Sequence, residues 1–179
     1  MTIGLSLISE LERLANAVSE NSEEAAQVSL SSVAERMARS IGVKTDEVGI
    51  LGISTRWRHL YFLVPEALRN VGFIPLSSAT AIAARTARES RPEIINNFAA
   101  VRHASVFESV KLGTDPSALI QKIVSAPILC DGRIVGVIQI SRKGPSPVGC
   151  GPDFTPDDLG KILALCKPLG KILQHFTAE

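Results

Sequence analysis

The side chains that most often do chemistry in proteins are widely scattered along this sequence. It contains three cysteines and three histidines, namely Cys130, Cys150, Cys166, His59, His103 and His175. Their spacing includes neither a Cys-x-x-Cys pair nor the i, i+4 histidine pair that holds zinc on a helix. A reactive thiol needs a cation or a helix start beside it, and for Cys130 the sequence shows only Arg133 nearby. We therefore predict free thiols, no metal site, no cofactor and no catalytic residue, with a thiol enzyme using Cys130 or Cys150 kept as an alternative.

Hydroxyl side chains form a second group of candidate residues. Ser77, Ser78 and Thr80 precede the alanine-rich stretch SATAIAARTARES, for which we predict a helix. Backbone N–H groups without an intrahelical partner favour an anion at a helix start. The three hydroxyls are thus predicted to bind a polar or anionic ligand. The alternative is that they only cap the helix.

Gln139 is a polar residue in an otherwise apolar strand pattern. We place it on one face with Val124, Ala126, Ile128, Val135 and Val137. A buried amide must find hydrogen-bond partners, or the fold is destabilised. Gln139 is therefore predicted to point at a polar ligand from a pocket floor, with Asn97 or His103 closing over it from an irregular segment. The alternative is that the sheet ends here and Gln139 reaches water or a neighbouring backbone.

The element that must position Gln139 is a hairpin from Ile123 to Arg142. Asp131-Gly132 lies between two β-branched runs, and this pair is typical of a two-residue turn because Asp and Gly accept positive φ. The turn predicts the cross-strand pairs Cys130–Arg133, Leu129–Ile134, Ile128–Val135, Ala126–Val137 and Val124–Gln139. Both faces of the hairpin are apolar, so we predict a central hairpin covered on both sides.

The remaining periodicities predict helices at the ends and short strands between them. Residues 5–18 form an amphipathic stripe, and a second helix is predicted from a cap at Ser22 to a stop at Gly42. Short apolar runs predict strands at 48–54, 59–65, 73–76 and 92–98. Thr155 and Asp158 predict a capping box for a terminal helix that Pro168 should kink.

Composition and charge narrow the classes of protein. A chain of 179 residues with 45% hydrophobic and 21% charged residues suits a globular domain. The net charge of +1 gives no general attraction to nucleic acid or membrane. The amino terminus lacks a basic region and carries Glu10 and Glu12, so we expect no secretory signal and a cytoplasmic protein. We predict an N-terminal amphipathic helix at 1–20 followed by one domain at 21–179, of the α+β class.

Three stretches resemble the GAF domains, a family of small-molecule sensor modules. They are the hairpin VSAPILCDGRIVGVIQISRKG, the later DFTPDDLGKILAL, and IPLSSATAIAARTARESRP. The resemblance extends from Ser22 to Phe176. It implies a central antiparallel sheet of five or six strands, with the N- and C-terminal helices packed on one face and the ligand pocket on the other.

The departures from the subclasses of this family bear on function. Cyclic-nucleotide-binding members commonly carry an Asn-Lys pair after the hairpin and a Phe-x-x-x-Asp-Glu motif farther on. This chain resembles those motifs at Lys143, Phe154 and Asp158 but lacks their Asn and their Glu. Lys143 and Asp158 could still pair. Free methionine sulfoxide reductases on the same fold need a cysteine near the start of the small helix, where this chain has Ala81. Bilin-binding members need a Cys-His attachment site, and no cysteine here precedes a histidine.

Taken together, the sequence predicts a non-catalytic sensory or regulatory module. It would bind an unknown small molecule, form a homodimer through its N-terminal helix and the helix from Thr155, and pass its signal to a separate effector protein. One alternative is a dimeric interaction module without a ligand. The other is a thiol-dependent reductase similar to the free methionine sulfoxide reductases.

Overall fold

A six-stranded antiparallel sheet forms the centre of the fold. The computed structural model describes residues 3–20, 29–69, 72–98 and 119–177. Within these residues the main elements are α1 (Ile3–Ser19), α2 (Leu30–Ile41), β1 (Val48–Ser54), β2 (His59–Val64), β3 (Phe73–Pro75), α3 (Ile82–Glu89), β4 (Glu93–Ile95), β5 (Ile120–Cys130), β6 (Arg133–Lys143) and α4 (Pro156–Thr177). Short 3₁₀ turns span Thr45–Glu47 and Glu66–Leu68.

The sheet has the strand order β3-β2-β1-β6-β5-β4. Apolar side chains of α1, α2 and α4 pack on one face, against Val48, Ile50, Val124 and Ile138. The alanine-rich side of α3 packs on the opposite face. We call these the terminal-helix face and the α3 face. This arrangement confirms the predicted α+β class and the packing of the N- and C-terminal helices on one face.

The predicted hairpin is present, but its register differs beyond the turn. Cys130 pairs with Arg133 and Leu129 pairs with Ile134, as expected. A bulge then leaves Val135 unpaired, and the pairs become Ile128–Gly136, Ala126–Ile138, Ser125–Gln139 and Val124–Ile140. Our predicted pairs from Ile128–Val135 onward are therefore wrong by one residue.

The bulge also changes which side chains share a face. Ile138 and Ile140 join Val124 on the terminal-helix face, whereas Val137 packs against α3. A one-residue slip moves every later side chain of a strand to the other side of the sheet. Gln139 consequently lies on the α3 face, opposite Ser125, and not beside Val124 as predicted.

Gly136 shows why the slip occurs where it does. A Cβ atom at this position would collide with the Leu51 carbonyl oxygen and with a methyl group of Leu173. Only glycine lets β6 approach β1 and α4 this closely. The close approach therefore fixes Gly136, and not Val135, at the paired position.

Capping groups define the helix ends. The hydroxyl of Ser29 accepts a hydrogen bond from the Ser32 N–H at 3.3 Å, and Gly42 ends α2 with a φ of 83°. The predicted cap at Ser22 lies outside the described residues. The Thr155 N–H donates to an Asp158 carboxylate oxygen at 2.9 Å, and the Asp158 N–H donates to the Thr155 hydroxyl at 3.2 Å. This reciprocal pair is the predicted capping box.

The buried face of α4 does not include all of its large apolar residues. Ile162, Cys166, Leu169 and Leu173 are buried, whereas Leu163 and Phe176 are each 38% exposed. Leu173 therefore belongs to the core of its own chain, and only the outer residues of α4 remain accessible to a partner. The helix continues through Pro168. Among the described helices, none combines the length and the apolar character that crossing a bilayer requires.

Candidate functional site

A chain of polar side chains crosses the α3 face of the sheet. The amide nitrogen of Gln139 donates to the Ser125 hydroxyl at 3.4 Å, and the hydroxyls of Ser125 and Thr86 are 2.7 Å apart. Thr86 donates its own proton to the Ile82 carbonyl at 2.9 Å, so Ser125 is the donor to Thr86. Each hydroxyl thus accepts one hydrogen bond and donates one. The buried chain runs from β6 through β5 to α3.

Gly49 leaves space beside this chain. It is paired with Gln139 across the centre of the sheet and is only half-buried. A Cβ at Gly49 would make ordinary contacts, 3.7 Å from both the Gln139 carbonyl oxygen and the Phe62 ring. A half-buried glycine in a central strand is unusual, because strand interiors gain stability from packed side chains. Gly49, Gln139 and Ser125 together form a polar floor, with Thr86 of α3 as its wall.

The loop before α3 holds the three predicted hydroxyls. The helix begins at Ile82, after Ala81, so none of Ser77, Ser78 and Thr80 is its N-cap residue. The Ser78 hydroxyl accepts the Ala81 N–H at 3.1 Å and closes a local turn. Ser77 and Thr80 are exposed. Their predicted role as a helix-start anion site therefore loses its geometric basis, and their part in ligand binding stays a prediction.

Arg88 fixes this loop from the side of α3. Its Nη1 donates to the Leu76 carbonyl at 2.5 Å and to the Ser78 carbonyl at 2.7 Å. Arg85 makes a two-pronged ion pair with Glu93, at 3.0 and 2.6 Å, which ties α3 to β4. A bidentate pair of this kind fixes orientation as well as distance. The cations of α3 thus position the rim of the site.

The residues after β4 lead into the segment that we predicted to close the site. Asn97 is exposed in a turn, and His103 lies outside the described residues. It is the neighbouring Asn96 that makes defined contacts: its amide nitrogen donates to the Phe154 carbonyl at 3.1 Å, and the Phe154 N–H donates to its oxygen at 2.8 Å. The roles of Asn97 and His103 stay predictions.

The cysteines lie away from this floor or in environments that do not activate them. Cys130 is buried on the terminal-helix side and donates to the Gln174 side chain at 3.0 Å. Burial and then the Asp131 carboxylate raise the pKa of Cys130. Burial raises the pKa of Cys166 to about 12. Cys150 lies in the loop before α4 and donates to the Pro147 carbonyl at 3.2 Å. A raised pKa disfavours the thiolate that nucleophilic chemistry needs.

Potential metal ligands and Lys143 are the remaining groups that the sequence singles out. Over 3–20, 29–69, 72–98 and 119–177, no group of three or more His, Cys, Asp or Glu side chains could hold a metal ion. The pair between Lys143 and Asp158 that the sequence left open is not formed. The Lys143 ammonium group donates to the Asp46 carbonyl at 2.9 Å, and the Asp158 carboxylate accepts the Thr155 N–H in the capping box.

Thr86, Ser125 and Gly49 were missed as candidate residues at the sequence level. Ser125 interrupts the apolar run of β5, and Thr86 interrupts the alanine side of α3. Each interruption is visible in the sequence. Their meeting is not, because it depends on the register that the bulge sets.

Comparisons with known proteins agree with this architecture. A family model described as GAF domain matches residues 10–173. The GAF domain of a phosphoenolpyruvate-protein phosphotransferase from Acinetobacter is 15% identical, with a TM-score of 0.65, covering 98% of this chain and 95% of that one. The corresponding domain from Coxiella burnetii is 10% identical, with a TM-score of 0.66, covering 96% and 93%.

An enzyme is also similar in structure. The free methionine-R-sulfoxide reductase of Neisseria meningitidis, in complex with its substrate, is 17% identical with a TM-score of 0.63, covering 97% of this chain and 87% of that one. No curated protein sequence matches the chain. At these identities the structural likeness shows the fold alone.

Proposed function

The chain belongs to the GAF domain family, and from this premise we propose that it is a non-catalytic sensory or regulatory module that binds a small polar molecule on the α3 face of its sheet. GAF domains are small-molecule sensor and regulatory modules, so the coarse class follows from the family. The location and the polarity of the ligand are proposed from the geometry of this chain.

The observation that carries the proposal is the polar chain of Gln139, Ser125 and Thr86 beside Gly49. A core without a ligand would be expected to fill this position with apolar side chains, as the terminal-helix face does with Val124, Ile138 and Ile140. Polar groups in an apolar surface give a ligand its orientation and specificity. The missing side chain at Gly49 supplies the room. A ligand with hydrogen-bonding groups and a compact shape fits both features.

The placement of the thiols supports a binding role over a reductase role. Ala81, where a reductase of this fold would need its cysteine, is 4% exposed at the start of α3. Cys130 contacts Gln174 of α4, and Cys166 belongs to α4 itself, within the core cluster on the far side of the sheet. The reductase activity of the Neisseria protein is therefore not proposed for this chain.

We further propose that the signal leaves through the terminal helices. Leu163 and its exposed neighbours on the outer side of α4 offer a contact surface for a second copy, and an effector protein would read the resulting homodimer. The competing proposal is a dimeric interaction module without a ligand, which the same exposed residues would serve. A cytoplasmic location is proposed with both.

A thermal-shift screen of polar metabolites distinguishes these proposals, because a ligand that binds only the folded state raises its melting temperature. We expect at least one compound to stabilise the protein. Gln139→Leu should weaken its binding by roughly 1 kcal/mol or more through the lost hydrogen bond. Gly49→Leu should weaken binding at least about tenfold, because the new side chain fills the floor.

The matched control is Gly160→Leu, because Gly160 lies on the exposed side of α4 with open space around it. This variant should bind like the unmodified protein. A screen with no stabilising compound would favour the interaction module. A compound whose affinity is unchanged by both Gly49→Leu and Gln139→Leu would show that the floor is not its site.

A further inference from the structure

The terminal-helix face of the sheet continues beyond the helices, across the outer strands. There the residues pointing to that side are Ser54 of β1, His59 and Tyr61 of β2, and Phe73 of β3. Their register is direct: Ser54 pairs with His59, and Tyr61 pairs with Phe73. Together with Trp57 and Arg69 they line a groove of about 640 Å³.

The two sides of these strands differ in chemistry. On the α3 side, Ile53, Leu60 and Ile74 are aliphatic and buried. On the groove side His59, Tyr61 and Phe73 carry aromatic rings, and Phe73 is 58% exposed. A strand that needed only to close the core would not place aromatic rings in water on its outer side. The contrast indicates a surface that contacts something other than its own core.

The aromatic residues are also concentrated here beyond what composition predicts. The sequence has a single tryptophan and a single tyrosine, and aromatic residues make up 4% of it. Both Trp57 and Tyr61 line this groove. Trp57 is 66% exposed, whereas Phe98 and Phe154 in the core are 1% and 3% exposed.

The rings are arranged as stacking surfaces. The His59 and Phe73 centroids are 4.2 Å apart with the planes tilted by 32°, close to an offset stack. Tyr61 meets His59 edge-on, with centroids 6.2 Å apart. Tyr61 also packs against the core cluster under the terminal helices, which anchors the group. Each ring is therefore supported by a neighbour while one side of the group faces the groove.

The charges around the groove are mainly positive. Arg69 lines it, and its Nε donates to the Leu63 carbonyl at 3.0 Å, which anchors the guanidinium. The Arg56 guanidinium lies 5.0 Å from the centre of the Trp57 ring. Glu66 is the one acidic residue in the described range 55–69. A guanidinium group binds carboxylate and phosphate through a planar fork of donors.

We propose that this groove is a second binding site, for a planar aromatic molecule that carries an acidic group. The ring would stack on Phe73, His59 and Trp57, and the acidic group would bind Arg69 and Arg56. The volume lies within the roughly 300–1,000 Å³ typical of small-molecule sites. The groove lies on the opposite face of the sheet from Gly49 and Gln139, so it is independent of the site proposed above.

Trp57 provides a local reporter, because its fluorescence is the only tryptophan signal of the chain. The probes are AMP and nicotinate, which combine a planar ring with phosphate or carboxylate, and adenosine and ribose 5-phosphate, which each carry half of the AMP chemistry. We expect AMP or nicotinate to change the Trp57 emission saturably below about 10 mM. AMP should bind at least about fivefold more tightly than either adenosine or ribose 5-phosphate does, since stacking and charge contribute separately.

Variants assign the two contributions. Phe73→Ala and Arg69→Gln should each weaken the better probe at least about fivefold. Phe176→Ala, which removes an exposed ring on α4, and Arg39→Gln, which removes an exposed cation on α2, are the matched controls and should bind normally. Gly49→Leu should also leave this affinity unchanged. Far-ultraviolet circular dichroism confirms that each variant is folded.

Three results would overturn the proposal. The first is no saturable change with either AMP or nicotinate. The second is adenosine binding as tightly as AMP, together with an unaffected Arg69→Gln variant, which would leave no role for the cations. The third is a loss of binding in Gly49→Leu with none in Phe73→Ala, which would place the probe on the α3 face.

Discussion

Two glycines of α4 should respond in opposite ways to the same substitution. Gly160 and Gly170 lie in one helix, where alanine is intrinsically favoured over glycine by about 1 kcal/mol. Around Gly160 there is open space for a Cβ atom. At Gly170 a Cβ would fall on the Leu129 carbonyl oxygen and lie 2.8 Å from the Leu129 carbonyl carbon. The helix rests directly on the end of β5 there.

The magnitude follows from these contacts. Gly160→Ala should raise the free energy of unfolding by up to about 1 kcal/mol. Gly170→Ala gains the same propensity but must push the helix off the backbone of β5, and no rotamer change can relieve a backbone clash. Overpacking typically costs about 1–3 kcal/mol, and a backbone clash beside the fully buried Leu169 and Leu173 belongs at the upper end, so after the propensity gain of about 1 kcal/mol we expect a net loss of about 2 kcal/mol.

Urea unfolding and thermal melts of both variants measure the difference. At this chain length, 1 kcal/mol corresponds to a shift in Tm of roughly 2–4 °C. Gly160→Ala should melt slightly higher than the unmodified protein, and Gly170→Ala about 4–8 °C lower. If Gly170→Ala were neutral or stabilising, the close contact of α4 with Leu129 would be refuted. An unchanged m-value would confirm that only stability differs.

Three further predictions concern charge, thiols and assembly. Burial and then the Asp46 carboxylate raise the pKa of Glu47, so the stability that protonated Glu47 contributes should be lost as the pH rises from its ordinary pKa through its raised pKa in the folded protein. Glu47→Gln should be more stable than the unmodified protein above that pH interval and equally stable below it. Equal stability of the two proteins at every pH in urea titrations would contradict this. Replacing all three cysteines, Cys130, Cys150 and Cys166, by alanine should preserve the fold and ligand binding, with a packing loss at Cys166. If the folded variant lost ligand binding in calorimetry, the hypothesis of a thiol enzyme would be favoured instead. Leu163→Glu should shift the chain from dimer to monomer in sedimentation, whereas Gly160→Ala should not, and a dimer that survives Leu163→Glu would exclude this outer part of α4 from the interface.

Much of the fold follows from local sequence signals. Asp131-Gly132 predicts the turn, Gly42 predicts the end of α2, and Thr155 with Asp158 predicts the start of α4, because each has a local physical cause. The strands β1 to β4 were recognisable from short apolar runs. These signals need no knowledge of the rest of the chain.

The site was less predictable because it depends on register. Both faces of the β5–β6 hairpin are apolar, so the hydrophobic pattern cannot reveal a one-residue slip. The bulge at Val135 exchanged the faces of Val137 and Ile138 and placed Gln139 opposite Ser125. Gly136 was the available clue, since a glycine in a central strand indicates a close backbone approach.

The aromatic groove was also missed, for a different reason. Trp57, His59 and Tyr61 alternate with the period of a strand, and the alternation is visible in the sequence. Locally, however, the segment 55–58 carries only the signal of a polar turn. The exposure of the rings is a tertiary property, because it depends on which part of the sheet the terminal helices leave uncovered.

The paired hydrogen bonds between Asn96 and Phe154 have a thermodynamic consequence. They join the end of β4, where the chain leaves the candidate ligand site, to the residue that precedes the first turn of α4. A displacement of the end of β4 must either break both hydrogen bonds or move the start of α4. The two segments are therefore linked by one coupling free energy. Coupling of this kind is reciprocal. A ligand that reorders the end of β4 changes the stability of the start of α4, and a partner that binds α4 changes the binding free energy of the ligand by the same amount. Asn96→Ala should therefore speed amide exchange in the first turn of α4 and reduce the effect of the ligand there.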